Sequence, residues 1–125
     1  MEELYRIERI YVHMKIWIDD IRPAPKGYTW CKSVNEAKHE VICVQMYDWD
    51  TSIEQEEIEL IDIDHDAGDF ANDGGDYIEF LKWLEAKDIH ENRKREYNIH
   101  IHSMNPVGRE NMRRIIERNG WREIR

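Results

Sequence analysis

Long apolar runs are missing from this chain. None approaches the roughly 20 residues that a membrane-spanning helix needs, which excludes a bilayer span. Cysteine is scarce as well, and the two present, Cys31 and Cys43, lack the spacing of a metal-binding pair. No basic, apolar and small-residue sequence resembling a signal peptide opens the chain, so the expected location is the reducing cytoplasm. Basic residues are outnumbered: eighteen Lys and Arg against twenty-seven Asp and Glu give a formal charge of −9. That field opposes sequence-independent attraction to a polyanion. A long nucleic-acid duplex is therefore excluded as a partner, and a small ligand or a nucleic-acid end is favoured; the same charge also serves solubility. Internal repeats and low-complexity segments are absent too.

The 125 residues suit one domain, and a chain of this size buries enough surface to fold without staples. Residues 1–13 are mixed in character and read as an N-terminal extension; the domain is expected over 14–125. Met14 opens the first clear strand, Lys15 to Ile18. Two prolines in three residues, Pro23 and Pro25, then forbid a regular helix. Gly27 to Lys32, rich in β-favouring residues, predicts a second short strand. Ser33-Val34-Asn35-Glu36 has the capping-box form, and Val34, Ala37, Val41 and Val44 follow at helical spacing. Gln45 to Gln55 has no sustained period and reads as a connection.

A strand is predicted over Ile58 to Ile63, followed by a polar, glycine-containing loop. A helix begins near Asp73 to Asp76, with Tyr77, Phe80, Leu81 and Leu84 as its buried stripe. Another strand covers Tyr97 to His102. Asn105 and Pro106 then supply an N-cap and a proline at the first helical position, and Gly120 suits the left-handed residue after the helix end. Trp121 to Ile124 forms a last strand. This alternation predicts a layered α/β domain with a mostly parallel sheet.

In open α/β sheets the ligand site lies beyond the carboxyl ends of the strands. Asp19 and Asp20 follow the first strand, Asp64, His65 and Asp66 the third, and Ser103 and Asn105 the fourth. Converging carboxylates repel one another and call for a cation, a shared proton or a donor from the ligand. A divalent cation with oxygen ligands, Mg²⁺ or Mn²⁺, would also reconcile an acidic pocket with an anionic guest. Arg22 either faces a phosphate or pairs with a neighbouring aspartate. His65, between two aspartates, is either a general acid or base or a loop histidine bonding locally. His100 and His102 share one face of their strand, as a metal pair, a general-base pair or packing groups; His102, nearer the strand end, is the functional candidate. The sequence His-Ile-His-Ser lacks the His-x-Ser or His-x-Thr pairs of two-histidine phosphoesterases, which rejects that mechanism.

Ser103-Met104-Asn105-Pro106-Val107-Gly108-Arg109 is the most specific local signal. A loop entering a helix aims the positive dipole end at an anion, Gly108 permits close backbone approach, and Arg109 in the first turn is easier to accommodate with an anion beside it. Tyr47 and Trp49 either stack on a base or pack under a loop.

Ile18-Asp19-Asp20-Ile21-Arg22-Pro23, Asp64-His65-Asp66 with Gly68, and Ile101 to Gly108 with Asn111-Met112 together resemble the cyclic-phosphate processing receiver-like family. The resemblance covers roughly Met14 to Ile116. It implies a receiver-like, flavodoxin-like fold and a role in processing or recognising a cyclic phosphate in a nucleotide or RNA end. In ordinary receivers an aspartate after the third strand accepts a phosphoryl group, a hydroxyl residue follows the fourth strand and a Lys-Pro pair the fifth. Asp64 and Ser103 fit the first two, but Trp121 to Arg125 contains neither lysine nor proline, which argues against a standard phosphorelay. The acidic stretch before Ile58 and the N-terminal residues also depart from the pattern.

The leading expectation is a metal-assisted phosphoesterase, a hydrolase of cyclic phosphodiesters. Asp19, Asp20, Asp64 and Asp66 hold the cation in this reading, with Asp64 also at the catalytic centre. His65 or His102 moves protons, while Arg22, Ser103, Asn105, Gly108 and Arg109 bind the phosphate. The rival expectations are a nucleotide-binding module that sequesters a cyclic nucleotide without cleaving it, and a divergent signalling receiver modified on Asp64.

Overall fold

The computed structural model describes residues 10–45 and 54–125. Strands β1 (Ile10–Ile18), β2 (Tyr28–Cys31), β3 (Glu54–Ile63), β4 (Asn98–Ile101) and β5 (Arg122–Ile124) form one sheet in the order β2-β1-β3-β4-β5. Every neighbouring pair is parallel. This is the strand order of the flavodoxin-like fold, with the order reversing at β1 and β3. Helices α1 (Val34–Gln45), α2 (Ile78–His90) and α3 (Pro106–Asn119) supply the crossovers. None of them is long and apolar enough to cross a membrane.

Parallel strands are expected to read as apolar runs on the side that a helix covers. Ile16 and Ile18 of β1, Ile61 and Ile63 of β3, and Ile99 and Ile101 of β4 are all buried. They meet Val34, Ala37 and Val41 of α1, Phe80, Leu81 and Leu84 of α2, and Met112 and Ile116 of α3 in one core. The predicted capping box forms at α1. The Glu36 N–H donates to Ser33 Oγ at 3.1 Å, and the Ser33 N–H donates to the Glu36 carboxylate at 3.4 Å. Asn105 caps α3 by accepting from the Gly108 N–H at 3.0 Å, and Gly120 ends the helix at a φ of 69°.

Element boundaries differ from the sequence reading at two strands, and β3 begins at Glu54 rather than Ile58, inside the stretch read as a connection. β1 begins at Ile10 rather than Met14, because residues 10–14 pair with 54–58 of β3. Between Met14 and Lys15 the register shifts because β3 carries an extra residue, Glu59, while the apolar alternation of β1 at Ile10, Val12, Met14, Ile16 and Ile18 runs unbroken. The polar loop after β3 contains a 3₁₀ turn, Gly68–Asn72. Tyr47, Trp49 and residues 1–9 lie outside the described residues.

All three helices lie in one layer: α1 packs on α2 and α2 on α3, as right-handed crossovers stepping in one direction require. Between β1 and β2 the chain passes through residues 19–27 without a helix. Two indoles tie this loop down instead, Trp17 Nε1 donating to the Arg22 carbonyl at 2.8 Å and Trp30 Nε1 to the Asp19 carbonyl at 2.7 Å. The second face of the sheet therefore carries no helix among the described residues. Side chains of alternate strand positions, including Trp17, Asp62 and His100, occupy it.

Candidate functional site

The ladder hydrogen bonds run on past the strand ends and fix the first residue of each loop. Asp19 N–H donates to the Cys31 carbonyl, Asp64 N–H to that of Ile18, and His102 N–H to that of Ile63. Three distant segments are thereby held side by side at one rim. One carboxylate oxygen from each of Asp19 and Asp64 and one ring nitrogen of His102 lie within 4.8 Å of one another.

Asp19 is buried, and both of its oxygens are engaged. Oδ1 accepts from the N–H groups of Ile21 (2.9 Å) and Arg22 (2.8 Å), while Oδ2 faces His102 Nε2 at 2.9 Å. Burial pushes its pKa up, but the Arg22 and Ile21 N–H groups and His102 outweigh this and hold the carboxyl below its usual value. Asp20 behaves in the opposite way. Burial comes first and the charges of Asp19, Asp64 and Asp69 follow, and together they raise its pKa. Its carboxylate lies so close to Gly68 that a side chain there would collide with it.

His102 is the hub of the arrangement. Its Nδ1 lies 2.6 Å from Asp62 Oδ1, its Nε2 faces Asp19, and its ring stacks on Trp17 with centroids 4.0 Å apart and 5° between planes. Burial works to lower its pKa; the bonds and charges of Asp62 and Asp19 prevail and raise it. Asp62 also meets His100 Nδ1 at 2.8 Å. Reading the sequence missed Asp62, which reads as a residue of the third strand. The available signal was an acid alternating with isoleucines in Ile61-Asp62-Ile63, opposite the alternating histidines of β4.

His65 sits apart from this hub. Its Nδ1 bonds to Asp66 Oδ1 at 2.8 Å, and Asn105 Nδ2 approaches the same nitrogen at 3.5 Å. Its ring covers Gly108 so closely that a Cβ there would collide with ring carbons. The close approach that glycine permits is thus to His65. Asp66 is largely exposed and pairs with His65; neither Asp66 nor Asp20 joins the ligand group of Asp19, Asp64 and His102.

Arg22 Nη1 donates to the His102 carbonyl at 3.0 Å, tying the first loop to the fourth. Ser103 is buried, with Oγ accepting from the Asn105 N–H at 3.1 Å. In the first turn of α3, Gly108 and Arg109 N–H groups are committed to Asn105, and Pro106 has none. Arg109 Nε is buried without a hydrogen-bond partner.

Residues 14–118 match the family described as Cyclic-phosphate processing Receiver domain. No curated protein and no solved structure gives a significant match.

Proposed function

This chain belongs to the cyclic-phosphate processing receiver domain family, and from that premise we propose that it is a metal-assisted phosphoesterase opening a cyclic phosphate in a nucleotide or at an RNA end. One observation carries this reading: Asp19, Asp64 and His102 bring three ligand atoms within 4.8 Å at the strand ends, beside an aspartate, Asp20, whose pKa burial and then neighbouring carboxylates raise. The two carboxylates of that group, Asp19 and Asp64, are oxygen donors that fit Mg²⁺ or Mn²⁺, with His102 holding Asp19 in place. When bound, the cation supplies Lewis-acid polarisation of the phosphoryl group and acidifies water in the site.

The chain's own groups divide the remaining work. Hydrolysis forms a bond from water oxygen to phosphorus, breaks one ring P–O bond, and needs a proton removed from water and one delivered to the departing oxygen. Asp20 lies outside the ligand group and has a raised pKa, which suits it to take the proton from water. His65 delivers the other from Nε2, its Nδ1 being oriented by Asp66. His102 has both ring nitrogens committed, to Asp62 and Asp19, so it anchors Asp19 and lends positive charge. Ser103, with Asn105 setting the turn, and the arginines Arg22 and Arg109 steady the phosphate.

The test is incubation with 2′,3′-cyclic nucleotides, cyclic dinucleotides and RNA ending in a cyclic phosphate, each with and without Mg²⁺ or Mn²⁺, with products separated by chromatography. Cation-dependent ring opening that Asp64→Asn abolishes is expected, with Arg109→Ala raising KM. Intact ligand recovered after tight binding would assign the chain to sequestration instead. Stable beryllofluoride modification of Asp64 without turnover would assign it to signalling.

A further inference from the structure

The sheet face without a helix presents a second set of donors. Asp62 of β3 stands in register with His100 of β4, and the two-residue period of a strand brings His102 to the same side. Nδ1 of His100 and Nδ1 of His102 lie 2.8 and 2.6 Å from the same Asp62 oxygen, and the three ligand atoms lie within 4.8 Å of one another. We propose that Asp62, His100 and His102 form a transition-metal site, of the kind that takes Zn²⁺, distinct from the oxygen-rich cation site at the strand ends.

Donor chemistry is the first argument. Two imidazoles and one carboxylate suit Zn²⁺, Co²⁺ or Ni²⁺ and are a poor match for Mg²⁺, which prefers oxygen. Support behind the ligands is the second. A metal-bound histidine almost always donates its other ring N–H to a carboxylate, a backbone carbonyl or water, and His102 Nε2 already faces Asp19 Oδ2 at 2.9 Å. Access is the third: the His100 side chain is 37 % exposed, and no helix of the described residues covers this face, so a fourth position is open to water or a ligand.

The fit needs little movement. With metal–ligand distances of about 2.0–2.1 Å, tetrahedral donors stand roughly 3.3 Å apart. The ion-free distances from the Asp62 oxygen to the two Nδ1 atoms, 2.8 and 2.6 Å, are those of hydrogen bonds, so that oxygen parts from each nitrogen by less than about 1 Å as the ion takes its place between them. The site shares His102 with the strand-end cluster. An ion on Nδ1 fixes Nε2 as an N–H donor to Asp19 and thereby couples the open face of the sheet to its strand-end rim.

Titrating the metal-free, full 125-residue chain with Co²⁺ and following visible d–d absorption tests the proposal. A one-to-one band with four-coordinate intensity, displaced by Zn²⁺, is expected. His100→Ala and Asp62→Asn should weaken binding by at least about tenfold, whereas Asp64→Asn and Asp20→Asn should leave the band in place. Circular dichroism checks the fold of each variant, and His100→Gln replaces His100→Ala if the latter unfolds. Absence of a stoichiometric band in the wild type overturns the proposal, as does a band that survives loss of the His100 imidazole but not of the Asp64 carboxylate. Cyclic-phosphate turnover is a separate measurement, so either reading can fail alone.

Discussion

A neutral imidazole carries one N–H, yet His102 has a carboxylate against each ring nitrogen. Both contacts are attractive in the ion-free protein only as imidazolium, in keeping with its raised pKa. A raised histidine stabilises the fold fully below its ordinary value of 6.5, and that contribution is lost as pH rises through the folded value. Asp19, held below 3.8, contributes above that value and loses its contribution as pH falls through the depressed one. With metal chelated, the denaturant midpoint should therefore fall on the alkaline side of 6.5. In Asp62→Asn that alkaline decline should flatten, and NMR titration should show the His102 pKa moving down. An alkaline limb identical to wild type would contradict the assignment. Gly108→Ala tests the other histidine. Its Cβ would collide with the His65 ring, so a loss of about 1–3 kcal/mol is expected, together with reduced turnover. Denaturation and kinetics on the same preparation check both.

At the scale of elements, the start of α1 does more than open a helix. Ser33 Oγ accepts the Glu36 N–H and donates to Asp73 Oδ2 at 2.6 Å, while Asn35 Nδ2 donates to Asp73 Oδ1 at 3.0 Å. These two bonds hold the Asp73 carboxyl below its usual range and clip the segment before α2 to α1. Ser33→Ala removes the cap and the Ser33 bond of the clip, leaving the Asn35 bond. A loss of about 1–2 kcal/mol in urea denaturation at neutral pH is expected. The Asp73 contribution is present above 3.8 and disappears as pH falls through its lowered value. The difference between wild type and variant should therefore narrow in acid, and a difference independent of pH would show that Asp73 plays no part.

For the whole molecule, charge sets the length of the guest. A net −9 repels a polyanion at distances that salt screens beyond roughly 10 Å at 0.1 M. A cyclic-phosphate dinucleotide and a long RNA with the same end should differ in kcat/KM at low salt, with the long RNA the poorer substrate. Added monovalent salt should erase that difference. A preference for long RNA that salt weakens would instead reveal a basic track outside the strand ends.

Much of this protein is legible in its order of residues because local physics writes it there. The capping box at Ser33, the Asn105-Pro106 helix start and the Gly120 stop each act within a few residues, and the structure keeps all of them. The strand-end position of Asp19, Asp64 and Ser103 follows from alternation of elements alone. Three things waited for tertiary structure. Pairing with 54–58 extends β1 to Ile10, a contact between distant segments that neighbours along the chain do not decide. Asp62 becomes the partner of both His100 and His102 only when β3 and β4 come into register. Gly108 leaves room for the ring of His65, carried on another loop, and only the folded chain shows what fills that room. Period and capping are properties of neighbours along the chain, whereas a carboxylate's partners are chosen by which strand lies beside it.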